Sequence, residues 1–220
     1  MDDRLRRSAA HVLVNDLDSC DLDDIADHHL RRVLRLRGGE SVTLTDGRGR
    51  WRAACWTTSG VEPVGETVTV ERVPEIAVAL AIPKQDKPEW TVSKLVECGV
   101  DRIILLNCER SVVRWDAGRS ERNVERLERV ARSALEQSRR VHRCVIEGPV
   151  SASAVLPEAV AAEPGGRHLE AGDRLVAIGP EGGWSPSELE LAHDRVDLGT
   201  TVLRVETAAL VAAVTMTGMR

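Results

Sequence analysis

The sequence predicts an α/β protein: a parallel sheet covered by helices on both faces, preceded by a smaller β-rich module. Three observations carry this. From about residue 75, short apolar runs alternate with helical patterns, the rhythm of strands buried between helices. Before that point apolar and polar residues alternate and are broken by an Asp-Gly-Arg-Gly turn, as in a hairpin. The hydrophobic share is 42%, yet Phe and Tyr are absent and Trp numbers five. The core must therefore be built from Val, Leu, Ile and Ala.

The first module covers residues 1–73. Its stretch DLDDIADHHLRRVLRLRGGE (21–40) has an acidic start (Asp21, Asp23, Asp24), a basic end, and Gly38-Gly39 as a stop. That polarity suits a helix macrodipole. SVTLTDGRGRWRAACW (41–56) reads as two strands around a turn, and VGETVTVERV (64–73) as another alternating strand.

The second module covers residues 74–220. Strands are expected at 78–83, 102–107, 143–148, 174–179 and 201–205, with helical patterns at 87–98, 119–140, 151–162, 186–194 and 207–217. Gly99 sits where a helix C-terminus favours glycine. The Gly- and Pro-bearing stretch 162–173 reads as a surface loop. The last helix is small and apolar on nearly every face, so it must be buried, against the core or partly against a second subunit.

Within this module IGPEGGWSPSELELA (178–192) reads as strand, Gly-rich turn and helix. SPSE (185–188) fits a capping box, with Pro186 at the first helical position. Open α/β sheets bind ligands beyond the carboxyl ends of their strands. The chain carries neither phosphate-loop nor dinucleotide glycine pattern, and Glu181 would repel a phosphate. Glycines with a carboxylate suit an adenosine ligand better; a bare tight turn is the competing reading.

Composition narrows the function classes. Net charge is −5, which argues against indiscriminate nucleic-acid binding but allows a local basic face. Nearly all 30 basic residues are Arg, with Lys only at 84, 87 and 94; Arg forks suit phosphate and carboxylate. Five cysteines without a CxxC suit reduced thiols in cytoplasm. His and Cys show no ligand spacing, so no metal is expected. No window approaches a membrane span.

IGPEGGWSPSELE together with LGTTVLRVETAALVA (198–212) resembles the signature pair of the ribosomal RNA small subunit methyltransferase E family, of the SPOUT superfamily of knotted methyltransferases. HHLRRVLRLRGGESVTLTDGRG (28–49), PKQDKPEWTVSKLVECGV (83–100), ERSVV (109–113) and ALEQSRR (134–140) extend the resemblance over nearly the whole chain after about residue 25. It implies an N-terminal PUA-like RNA-binding β-barrel and a C-terminal sheet with a deep trefoil knot. It also implies a cytoplasmic homodimer that uses S-adenosylmethionine, without metal, to methylate N3 of a uridine in 16S ribosomal RNA, preferably in the assembled small subunit. Arg139 stands where the family commonly has glycine, and Cys144 lies where a proline is usual.

The resemblance places the donor against Ile178, Gly179, Pro180, Glu181, Gly182 and Gly183 on one bend and Leu198, Gly199 and Leu203 on another. The reaction must remove the N3 proton and hold the ring in line with the methyl group. Glu206 is the first candidate proton acceptor; its alternative is a carboxylate favoured at a helix N-terminus. Arg140, then Arg204, would stabilise charge on the uracil oxygens; an ion pair of Arg140 with Glu136 is the structural alternative. Arg31, Arg32, Arg35 and Arg37 would bind phosphate, with Arg31 and Arg35 on one helix face, and Arg110, Arg114, Arg119 and Arg122 would extend that surface. Lys84, Lys94 and Glu97 match family positions without an assigned role. Trp90 and Trp184 are expected in packing. Two further functions fit the same scaffold: a non-catalytic RNA-binding assembly factor, and a related methyltransferase for another nucleoside.

Overall fold

The computed structural model describes residues 2–220. The chain packs as two units: the residues up to Arg72 with Arg132–Arg143, and Val73–Ala131 with Cys144–Arg220.

The first unit opens with helix α1 (Asp3–Arg7), capped by the Asp2 carboxylate, and strand β1 (Ala10–Leu13); the sequence pattern had suggested neither. Helix α2 (Asp24–His28) is capped by Asp23 and runs into a π-helical turn, His29–Val33. The expected hairpin follows as β2 (Ser41–Thr45) and β3 (Arg50–Thr57), then β4 (Gly60–Thr69). The four strands form one sheet in the order β1-β2-β3-β4. β1 lies parallel to β2 and the other pairs are antiparallel. Leu30, Val42, Leu44 and Trp56 centre its core.

Segment 139–143 is threaded into this unit by hydrogen bonds. His11 Nε2 donates to the Arg140 carbonyl at 2.9 Å, and its Nδ1 lies 2.8 Å from the Thr43 hydroxyl. A carbonyl can only accept, so the proton is on Nε2 and Nδ1 accepts from Thr43. Burial, with the Arg139 charge nearby, pushes the His11 pKa down to about 4. Arg139 has φ +61°, a conformation natural to glycine; its guanidinium donates to the Ser8 carbonyl at 2.8 Å.

The second unit is built on six strands in the order β10-β8-β9-β5-β6-β7, every pair parallel. In chain order they are β5 (Ala77–Ala81), β6 (Arg102–Asn107), β7 (Val145–Ser151), β8 (Val160–Arg167), β9 (Leu175–Ile178) and β10 (Asp194–Val196). Helices α3 (Lys87–Glu97), α4 (Ala117–Ser138, its end from Arg132 in the first unit), α5 (Ala152–Val155) and α6 (Pro186–Leu191) lie between strands, and α7 (Val205–Gly218) follows β10. α3 ends before Gly99, which takes φ +97°. β5 is buried along its whole length and reads AVALA, as a central parallel strand does.

Three expectations fail here. The helix expected at 151–162 shrinks to α5 and a 3₁₀ turn at Leu156–Glu158; Pro157 stops it, and the chain continues as β8 to Arg167, so that only 168–173 of the expected surface loop is irregular. The strand expected at 201–205 does not form: 201–204 is irregular and α7 begins at Val205. Its alternation misleads because Val202 is 93% exposed and Leu203 faces a cavity. Trp90 is 46% exposed rather than packed, whereas Trp184 is buried. On α7 the residues Ala208, Ala209, Ala212, Ala213 and Met216 are buried while Val214 is exposed. No helix among the described residues is long and apolar enough to cross a membrane.

Candidate active site

The bend after β9 is shaped by its glycines. A Cβ on Gly179 would lie 2.8 Å from the Trp184 ring, so glycine lets the indole pack against the chain. The indole Nε1 donates to the Ala162 carbonyl of β8 at 3.1 Å. Gly183 takes φ +70° and its amide closes the turn on the Pro180 carbonyl at 2.8 Å. α6 then starts with the capping box read from the sequence. Ser185 Oγ accepts from the Glu188 amide at 3.1 Å, and a Glu188 oxygen accepts from the Ser185 amide at 3.0 Å.

Glu188 does more than cap. It is buried, and its other oxygen accepts from the Glu109 amide at 2.9 Å. The loop after β6 grips the bend a second time: Arg110 Nη1 donates to the Trp184 carbonyl at 2.9 Å and to the Gly182 carbonyl at 3.4 Å. Arg114 donates to the carbonyls of Cys108 and Glu109. Burial and the nearby Glu188 charge push the Cys108 thiol up to about 12, so this cysteine is an inert packing residue.

The second wall is the irregular stretch 197–204. Asp197 accepts from the Gly199 amide at 2.9 Å and from the Gly165 amide at 3.0 Å. Those amides hold its carboxyl below the usual range. Gly199 takes φ +146°, and a Cβ there would meet nothing within 4 Å.

Between the walls lies a cavity of about 420 Å³, within the size range of small-ligand sites. Ile178, Gly179, Pro180, Glu181 and Gly183 line one side, and Leu198, Gly199 and Leu203 line another. Residues the sequence reading did not place against the donor complete it: Ala162, Glu163 and Pro164 from β8, Trp184, Asp197, Thr200, Thr201, Val202, and Val205 with Ala208 on α7. Three lining side chains are carboxylates, those of Glu163, Glu181 and Asp197, and none of the lining residues is Lys, Arg or His. The cavity therefore favours a cationic ligand with an apolar body.

Several candidates fall elsewhere. Gly182 does not line the cavity; a Cβ there would meet Arg110 at 3.5 Å. Glu206 does not line it either. Its carboxylate accepts from Lys87 Nζ at 2.7 Å. Burial pushes the Glu206 pKa up, but the Lys87 hydrogen bond, the helix-terminal amide and the Lys87 charge outweigh it, and the balance lies below the ordinary value. A strengthened carboxylic acid is a weakened base. Arg204 is exposed at the N-cap of α7, outside the lining. Arg140 belongs to the first unit, and Glu136 pairs with Arg132 at 3.3 Å.

The arginines differ as much. Arg31 is paired with Asp27 at 2.8 Å and lies 4.7 Å over the Trp56 ring. Arg35 takes φ +54° after the π-helical turn, so it does not continue the face of Arg31. Arg32, Arg35 and Arg37 are exposed. Arg110 and Arg114 brace carbonyls, as described, rather than standing free. Lys94 pairs with Glu97 at 2.7 Å. No group of three potential metal ligands occurs among the described residues.

Residues 71–217 match the model of an RNA methyltransferase domain, and residues 28–55 that of an RNA methyltransferase PUA domain. The ribosomal RNA small subunit methyltransferase E of Mycobacterium bovis is 34% identical over 215 residues, spanning 84% of this chain and 80% of that protein. The chain belongs to the ribosomal RNA small subunit methyltransferase E family. Solved structures superpose over nearly their whole length. A probable rRNA-methyltransferase from Porphyromonas gingivalis aligns with TM-score 0.76 and 31% identity, covering 95% of this chain and 98% of that one. The methyltransferase E of Neisseria gonorrhoeae, bound to S-adenosyl methionine, aligns with TM-score 0.79 and 25% identity, covering 95% and 97%. Family membership makes this chain an RNA methyltransferase with a PUA-like domain, of the type that acts on small-subunit rRNA.

Proposed function

We propose that the chain transfers a methyl group from S-adenosylmethionine to N3 of a uridine in 16S ribosomal RNA, acting on the assembled small subunit. The observation that carries this is the cavity between the two glycine bends. Its size suits a nucleoside-bearing ligand, and its apolar wall at Ile178, Leu198, Leu203 and Val205 suits an adenine face. Its three carboxylates suit a sulfonium and an ammonium. The open space beside Gly183 and Gly199 lets main chain approach the ligand without an intervening Cβ. The Neisseria relative bound to the same molecule supports the assignment. When bound, the donor supplies an activated methyl group and needs no metal to do so.

The chain's own residues hold and aim. Trp184 and the Glu188 cap fix one bend, Asp197 fixes the other, and the Lys87–Glu206 pair fixes the first turn of α7 beside Val205. Glu206 is thus a positioning residue in this reading, not the proton acceptor. Arg204 stands in sequence between the lining residues Leu203 and Val205. It is the guanidinium of this unit assigned to charge developing on the uracil oxygens. Arg32, Arg35 and Arg37 supply phosphate contacts from the PUA-like unit, which position RNA without specifying sequence. The apolar outward face of α7 around Val214 serves a homodimer contact, and the stretch leading into α7 is threaded as a trefoil knot.

The test is mass spectrometry of 16S rRNA from cells lacking the protein, and of subunits treated with protein and donor. Loss and restoration of a single N3-methyluridine are expected. Loss of a different modified nucleoside, or of none, overturns the assignment.

A further inference from the structure

A second concavity, of about 230 Å³, lies within the C-terminal unit and shares no lining residue with the first. It sits beyond the carboxyl ends of β5 and β6, the edge at which parallel sheets bind ligands. Pro83, Pro88 and the Trp115 indole supply apolar walls; Gln85, Asn123 and Arg126 supply polar edges. The volume is below the range of drug-sized sites, so one ring system fits and a larger ligand does not.

Three features mark it as more than a gap in packing. Gln85 holds φ +61°, a strained conformation for a residue with a side chain, of the kind that gathers at ligand clamps. Gln85 is exposed and Asn123 half-buried at the edge of the cavity, so both amides are open to a ligand. Arg126 is oriented at the rim by an ion pair with Glu89. Each amide offers both donor and acceptor, the mixed pattern a base edge presents.

The loops around this cavity also hold the first. Pro88 follows Lys87, whose ammonium fixes Glu206 next to Val205. Trp115 lies on the loop whose Arg110 grips the bend at Gly182 and Trp184.

We infer that this cavity receives an unstacked nucleobase flanking the methylated uridine, stacked on Trp115 and read at its edge by Gln85, Asn123 and Arg126. The inference rests on the methyltransferase reading above. Sequence-specific RNA recognition works on splayed bases set against aromatic or guanidinium planes. The occupant is a neighbour of the target and not the target itself. Amides at a uracil edge would occupy N3, which the reaction needs open to the methyl donor.

The test uses small subunits reconstituted with a single abasic nucleotide at each position within about three of the target. Methylation kinetics are measured with the wild-type protein, Trp115→Ala and Asn123→Ala, beside calorimetry of S-adenosylmethionine. One abasic position should raise KM for the wild type by about tenfold. Each variant should raise KM similarly on intact subunits, with no further loss at that position and unchanged donor affinity. Asn123→Ala keeps the test open if Trp115→Ala fails to fold. Effects that add at every position, as a structural or protein-contact role would give, overturn the inference. A wild-type protein that neither binds donor nor methylates would instead overturn the parent reading and this one with it.

Discussion

The cavity bends at 178–184 and 197–205 and the arginine-rich segment at 28–37 make opposite uses of their sequence. In the bends, the residues that matter are those with little side chain. Gly179 admits the Trp184 ring, and Gly183 and Gly199 hold positive φ. In the arginine segment the signal lies in long side chains, and the structure disperses it. Arg31 is engaged by Asp27 and Trp56, and Arg35 leaves the helical face after a π-helical turn. Glycine patterns report backbone demands that few folds can satisfy otherwise; a basic run reports charge but not whether that charge is free.

The sharpest break of this comparison is within the bends. Gly199→Val should weaken S-adenosylmethionine binding by about 100-fold, on the order of 3 kcal/mol, because φ +146° admits only glycine without strain. Gly182→Ala should change affinity less than about threefold, since its added Cβ faces Arg110 in ordinary contact. Calorimetry on both variants, with circular dichroism to check folding, decides. Equal losses would erase the distinction between lining and bracing glycines.

A second contrast concerns how segment 139–143 is held. His11 has a folded pKa of about 4 against 6.5 in the unfolded chain. Between these values the unfolded state binds the extra proton, so stability is complete above about pH 6.5 and falls as pH drops toward 4, by about 3 kcal/mol. His11→Gln keeps a donor for the Arg140 carbonyl and should flatten that window in denaturant melts. An unchanged pH profile in the variant would show that His11 is not the titrating group.

Smaller effects sharpen the roles of charged pairs. Lys87→Met leaves the half-buried Glu206 carboxylate without its ammonium and should cost about 1–2 kcal/mol in thermal or denaturant unfolding. Glu206 has a lowered folded pKa. Its contribution is therefore present above the unfolded carboxyl pKa of about 4.5 and lost as pH falls below it. Glu206→Gln should reduce kcat by less than about tenfold; loss of a true general base costs about 100-fold or more. The least effect is expected in the arginine segment. Arg32→Ala should lower the salt slope of RNA binding by about one unit, whereas Arg31→Ala should act on melting temperature and leave the slope nearly unchanged.

Much of this architecture was legible because it rests on local pattern. The buried strands β5, β6 and β9 read as apolar runs, and Ser185 with Glu188 read as a cap. β8 was not legible, since VAAEPGGR carries Pro164 and two glycines, residues that speak against a strand. TVLRV read as a strand because alternation is blind to where a strand ends and a cavity wall begins. Glu206 read as a base because its partner Lys87 lies 119 residues away. Arg139 stands where the resemblance implies a glycine; its φ of +61° is the conformation glycine favours, and its guanidinium donates to the Ser8 carbonyl.

Calorimetric titration of S-adenosylmethionine into the wild-type chain, with Gly199→Val as control, tests the central assignment most directly. One site per chain, lost in the variant, is the predicted result. Absence of binding to the folded wild-type protein, or undiminished binding to a folded Gly199→Val, would contradict a donor pocket between these two bends.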